Sequence, residues 1–176
     1  MFNYKAYLNE YCKEYRLNLK LSFDMPPGYE TANGTFDVET KTVFINEKYL
    51  SDASDYEKAY YFFHELRHAS QYLCSECFSD IIKRSLQYVI MYDGTCYKII
   101  EGEYYECRLE GEKFYLGQPY EVDANTFAYE RAKEIYGDSE ELKKLYRFWI
   151  PEQPILDEEY NAIYLKIDEN INREPI

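Results

Sequence analysis

Apolar residues at Phe2, Ala6, Tyr7, Leu8, Tyr11, Cys12 and Tyr15 recur at helical spacing, which predicts a helix over 2–16. The period then changes to two. Leu17, Leu19, Leu21 and Phe23 alternate with polar residues as in a half-buried strand, and Met25-Pro26-Pro27-Gly28 ends the run. Phe36 and Val38, a polar turn at Glu39-Thr40-Lys41, then Val43 and Ile45 predict a β-hairpin. Ser54 followed by Glu57 is a capping box, in which each side chain satisfies a free amide at a helix start. Asp55 and Glu57 also suit the positive end of the helix dipole. Ala59, Tyr60, Phe62, Phe63, Leu66, Ala69 and Leu73 give this long helix its buried faces.

Further along, Ile81, Ile82, Leu86 and Val89 predict a shorter helix over 79–92, closed by Asp93-Gly94. Residues 96–100, 103–109 and 113–116 read as a meander of two or three short strands, broken at Glu101-Gly102 and Glu110-Gly111. Pro119 opens a helix that runs to about Tyr136, where Gly137 stops it. Another helix covers 139–149 before Pro151, and a last one roughly 157–169. The expected fold class is α+β, with a small mixed or antiparallel sheet packed against the long helix and additional C-terminal helices. With 176 residues and no repeat or linker, a single domain spanning 1–176 is expected, with a cysteine-bearing β-meander inserted at about 95–117.

Composition narrows the function classes. The 22 tyrosines and ten phenylalanines supply apolar mass for a core, and a tyrosine can bury its ring while its hydroxyl stays wet. With 33 acidic against 20 basic residues the net charge is −13, so most of the surface repels a phosphate backbone and no nucleic-acid partner is expected. No apolar run approaches a membrane span, and Met1-Phe2-Asn3-Tyr4-Lys5 leads into a mixed polar and aromatic stretch rather than the apolar core of a signal peptide. A cytoplasmic chain with no membrane partner is the expectation. Five cysteines, an odd number, are expected to be reduced there. A four-thiolate zinc site from Cys74, Cys77, Cys96 and Cys107 would need a second close pair, which Cys96 and Cys107 do not supply, so ordinary thiols are the better reading. Nothing in the pattern fixes an oligomeric state.

The chain's two histidines both lie in His64-Glu65-Leu66-Arg67-His68, an H-E-x-x-H sequence in the middle of the capped helix. Residues i and i+4 share a helix face, so both imidazoles can reach one metal ion. Glu65, beside the open coordination position, is the candidate general base of a zinc hydrolase. A catalytic zinc ion takes a third protein ligand. No third histidine exists, which excludes a metzincin arrangement; the ligand is a carboxylate or a cysteine, and 33 acidic residues compete for the role.

In gluzincins the third ligand is a glutamate on a later helix, followed one turn on by Asp or Asn; Glu121-Val122-Asp123-Ala124-Asn125 is similar to that pattern. His64-Glu65-Leu66-Arg67-His68-Ala69-Ser70-Gln71 with the later Glu121-x-x-Ala124-Asn125-x-Phe127-Ala128 resembles the ImmA/IrrE family of metallopeptidases, over roughly residues 36–130. The resemblance implies a zincin-like fold and a Zn2+ ion held by His64, His68 and Glu121. It implies that Asn125 orients a ligating histidine and that Glu65 activates water to hydrolyse a peptide bond of a specific intracellular protein partner, often a transcriptional regulator. The oxyanion would need a further donor, for which Tyr120, beside the third ligand, is a candidate. The chain departs from the family in carrying Arg67 where many members have glycine, in the inserted meander, and in showing no DNA-binding domain. The alternative is a non-proteolytic zinc-bound regulatory or interaction domain of the same fold. Glu65, needless in a pure binding module, favours hydrolysis.

Overall fold

Asn3 caps the first helix of the computed structural model, which describes residues 2–90, 95–108 and 117–171. Its side-chain oxygen accepts the amide of Ala6 at 3.1 Å, and α1 follows over Tyr4–Tyr15. Tyr4, Leu8 and Tyr11 form its buried stripe. β1 (Lys20–Ser22), β2 (Gly34–Asp37) and β3 (Thr42–Ile45) then make a mixed sheet in the order β1-β3-β2. β1 runs parallel to β3 with Leu21 opposite Val43, and β2 runs antiparallel with Phe36 opposite Val43, as the hairpin pattern predicts. The strand expected across 17–23 contracts to β1. Buried Asn46 anchors the approach to β2, its amide donating to the carbonyls of Glu30 at 2.9 Å and Ala32 at 3.0 Å.

The capping box forms as read. Ser54 Oγ accepts the Glu57 amide at 3.4 Å, and the Ser54 amide donates to Glu57 Oε2 at 2.8 Å, starting α2 at Asp55–Leu73. Ala59, Phe62, Phe63, Leu66 and Ala69 are all buried on this helix, which packs against β2, β3 and α1. The Tyr11 hydroxyl of α1 and Ser70 Oγ of α2 bond to each other in that interface.

The helix predicted over 79–92 ends early. After a 3-10 turn at Ser75–Cys77, α3 covers only Asp80–Ser85, and Tyr88–Ile90 is a strand, β4. Tyr88 and Ile90 are buried on either side of the half-buried Val89, a period of two that the apolar spacing did not reveal. β4 pairs antiparallel with β5 (Thr95–Ile100), and β5 with β6 (Glu103–Arg108). A pairing between distant segments therefore overrides the local helical signal. Glu101 and Gly102 both adopt positive φ, 53° and 86°, the two-residue turn that suits the twist of a hairpin. The break at Glu110-Gly111 and the extended run at 113–116 lie outside the described residues. α4 (Pro119–Tyr136), α5 (Glu140–Trp149) and α6 (Asp157–Asn170) follow close to their expected bounds, with Gly137 at φ 85° after α4.

These elements form two compact units. The first, Met1–Ser75 with Asp123–Tyr146, contains the mixed sheet packed on α2. The second, Glu76–Val122 with Arg147–Ile176, contains the antiparallel sheet β4-β5-β6. Its core joins Tyr88, Ile90, Cys96 and Cys107 of the sheet to Tyr160, Ile163, Tyr164 and Ile167 of α6. The C-terminal helix is thus an integral part of the unit that carries the meander. Asp168 of α6 ties down the sheet, accepting the Tyr88 hydroxyl at 2.9 Å and the Lys98 ammonium at 2.6 Å. The fold class is α+β with small mixed and antiparallel sheets. Among the described residues, no helix is long and apolar enough to cross a membrane.

Ser54→Ala removes the cap that starts α2. We expect a stability loss of about 1 kcal/mol, seen as a Tm lower by about 2–4 °C at this chain length. An unchanged thermal melt would show that the cap contributes nothing.

Candidate metal centre

α2 places His64 and His68 one turn apart on the same face. Their Nε2 atoms lie 2.9 Å from each other, with ring planes at 90° and centroids 4.5 Å apart. Glu121 lies in the first turn of α4, whose residues from Asp123 onward belong to the first unit. The entry to α4 is set by buried Gln118. Its Oε1 accepts the Ile90 amide at 3.1 Å, its Nε2 donates to the Ile90 carbonyl at 3.2 Å, and its own carbonyl receives the Val122 amide at 2.9 Å.

One ligand atom each from His64, His68 and Glu121 lies within 4.8 Å of the others, so the three can hold a metal ion. Among the described residues, this is the cluster of three such donors, and the cysteines form none: Cys96 and Cys107 face each other across β5 and β6, while Cys74 precedes the 3-10 turn and Cys77 ends it. The geometry fits a cation. Around a four-coordinate metal with bonds of about 2.0–2.1 Å, ligand atoms stand about 3.3 Å apart, and the two histidine nitrogens here are 2.9 Å apart. Two imidazole nitrogens and a carboxylate oxygen are donors typical of a borderline transition-metal ion rather than of calcium or magnesium, which take oxygen cages.

Glu65 is only 8% exposed and lies directly beneath β2. A Cβ built on Gly34 would stand 2.8 Å from Glu65 Cγ, 3.2 Å from its Oε1 and 2.9 Å from the Phe44 carbonyl. Gly34 is therefore the residue that lets the strand come down onto the candidate base. β2 is also an outer strand of its sheet.

Around the histidines lies a polar chain. His68 Nδ1 is 2.8 Å from Gln71 Oε1, and Gln71 Nε2 donates to Asp123 Oδ2 at 2.8 Å. Arg67 grips the same carboxylate with two bonds, Nε to Oδ2 at 2.7 Å and Nη2 to Oδ1 at 3.0 Å, and lies over the Phe127 ring at 4.8 Å. Burial opposes the Arg67 charge, but the bond to Asp123 and its negative charge outweigh that and raise the guanidinium pKa.

The structure thus brings together His64, His68 and Glu121, with Glu65 on the same helix as the histidines. Asn125 Oδ1 accepts the Tyr60 hydroxyl at 2.9 Å, and His68 Nδ1 is in contact with Gln71. Tyr120 is buried in the first turn of α4. Sequence reasoning passed over Gln71, Asp123, Arg67 and Gly34. Gln71 carried a usable signal, three residues beyond His68 and so on its helix face, whereas Gly34 carried none without the sheet register.

No protein-family model matches the chain, and neither a curated protein nor a solved structure matches it.

Gly34→Ala pushes a methyl group against both Glu65 and a backbone carbonyl. We expect a loss of about 1–3 kcal/mol, the usual cost of overpacking, measured by urea unfolding. An unchanged unfolding midpoint would mean that β2 yields without cost.

Proposed function

We propose that the chain is a zinc-dependent peptidase with a zincin-like, gluzincin-type site of the kind found in the ImmA/IrrE family, acting in the cytoplasm on a specific protein partner. The observation that carries this reading is the convergence of donor atoms from His64, His68 and Glu121 within 4.8 Å of one another. Two imidazoles and one carboxylate suit zinc and non-haem iron(II) alike, and the H-E-x-x-H order, with Glu65 beside the first histidine, favours zinc.

When bound, zinc polarises a carbonyl and lowers the pKa of water to about 7. His64, His68 and Glu121 hold it and fill the protein's share of its coordination. Glu65 takes the proton from the attacking water on a carboxylate oxygen and returns it to the leaving amine. Its burial beneath Gly34 favours that role, because a carboxylate shielded from bulk water and fixed by packing loses little in reorganisation when the proton moves. A peptide substrate is supported by the outer position of β2, which has no strand partner on its far side among the described residues. An extended peptide can add to such an edge through main-chain hydrogen bonds, and Gly34 puts that edge against Glu65.

Glu65→Gln keeps the size of the side chain and all three ligands but has no base. With a proteome-derived peptide library as substrate, the zinc-loaded wild type cleaves and a chelator stops it. Glu65→Gln retains its zinc and loses about 10²–10⁴-fold in rate. Cleavage by Glu65→Gln at the wild-type rate would remove the general-base assignment, and a zinc-loaded wild type that binds proteins without cutting them would favour an interaction domain.

A further inference from the structure

Gln71 has no exposed surface, and its two amide ends face partners of opposite demand. On one side is Asp123, ion-paired with Arg67, whose carboxylate oxygens can only accept. The Gln71 NH2 group must therefore point at Asp123 Oδ2, the 2.8 Å contact, and the amide oxygen is left facing His68 Nδ1 at 2.8 Å. An amide oxygen only accepts, so Nδ1 must be the nitrogen that carries the proton. In the neutral ring, Nε2 is then the unprotonated atom, and it is Nε2 that faces His64 Nε2 at 2.9 Å.

We propose that Arg67, Asp123 and Gln71 form a positioning relay that selects the tautomer of His68 and so presents Nε2 to the metal. The direction of the relay is set at its far end. Arg67 supplies two parallel donors to Asp123, a geometry that lysine cannot reproduce, and its stacking on Phe127 limits its own movement. Asp123 lies only two residues from Glu121 and would otherwise compete for the ion as a carboxylate. With Oδ1 bonded to Arg67, and Oδ2 to both Arg67 and Gln71, its oxygens are engaged away from the metal. Arg67 thus has a specific task on α2: it holds a carboxylate in the shell behind the ligands. None of the three residues touches the reacting atoms. Each acts through His68.

The inference rests on the metal reading of His64, His68 and Glu121, and its test separates the two. In the full-length chain the two histidines give resolvable ring-nitrogen signals in long-range 1H–15N correlation spectra, recorded in alkaline buffer before and after zinc is added. The wild type shows His68 protonated at Nδ1 in both states. Gln71→Leu, close in volume and unable to hydrogen-bond, shifts metal-free His68 toward the Nε2-protonated form and weakens zinc binding by about 10–100-fold in competition with a chromophoric chelator. Arg67→Met changes both readouts in the same direction with Gln71 intact, which a role in packing alone at position 71 would not produce. The relay is overturned if wild-type His68 is protonated at Nε2 before zinc is added, or if Gln71→Leu leaves tautomer and affinity unchanged. A wild type that takes up no zinc removes the metal reading, while the tautomer comparison still decides the relay.

Discussion

The structure depends on one constraint: a helix that serves as the spine of a core must also carry a polar face through it. On α2, Glu65, His68, Ser70 and Gln71 are all at most 9% exposed, side by side with the apolar residues that pack on the sheet and on α1. Burying such groups costs several kcal/mol unless each finds a partner. The neighbouring helices supply them: Tyr11 of α1 bonds Ser70, and Asp123 of α4 receives Gln71. Two imidazole nitrogens 2.9 Å apart with a glutamate beside them are an arrangement that a cation satisfies and a plain core does not require.

Charge is organised at two scales. Across the whole chain the excess of acidic residues, net −13, produces a field that draws cations and repels polyanions. Within the first unit, Arg67 is turned inward to pair with Asp123, and their side chains are each 20% exposed. A pair this sheltered works less through the strength of attraction than through direction, since both partners are fixed by further bonds and by Phe127. The second unit uses the same device for a different end. Asp168 gathers Tyr88 and Lys98 onto α6 and closes the sheet of the meander over an aromatic core.

Much of this was legible in the sequence, for local reasons. The start of α2 is written in Ser54 and Glu57, the two ends of α4 in Pro119 and Gly137, and the hairpin of β5 and β6 in Glu101-Gly102, because each depends on residues a few positions apart. That His64 and His68 share one face of α2 was also legible, since residues four apart on a helix meet. What escaped is everything that depends on distant pairing. Tyr88–Ile90 reads as the end of a helix until β5 is placed beside it. Gln71 reaches His68 and is itself held by Asp123, a link between two helices that the sequence spacing does not show until they pack. Gly34 matters only because the sheet lowers it onto Glu65.

The central claim is that His64, His68 and Glu121 hold one metal ion. Calorimetric titration of zinc into the metal-free, full-length chain tests it most directly, with His64→Ala, His68→Ala and Glu121→Ala measured alongside the wild type. The account predicts one zinc bound per wild-type chain and sharply weakened binding in each of the three variants. A wild type that takes up no zinc, or variants that bind it as tightly as the wild type, would contradict it.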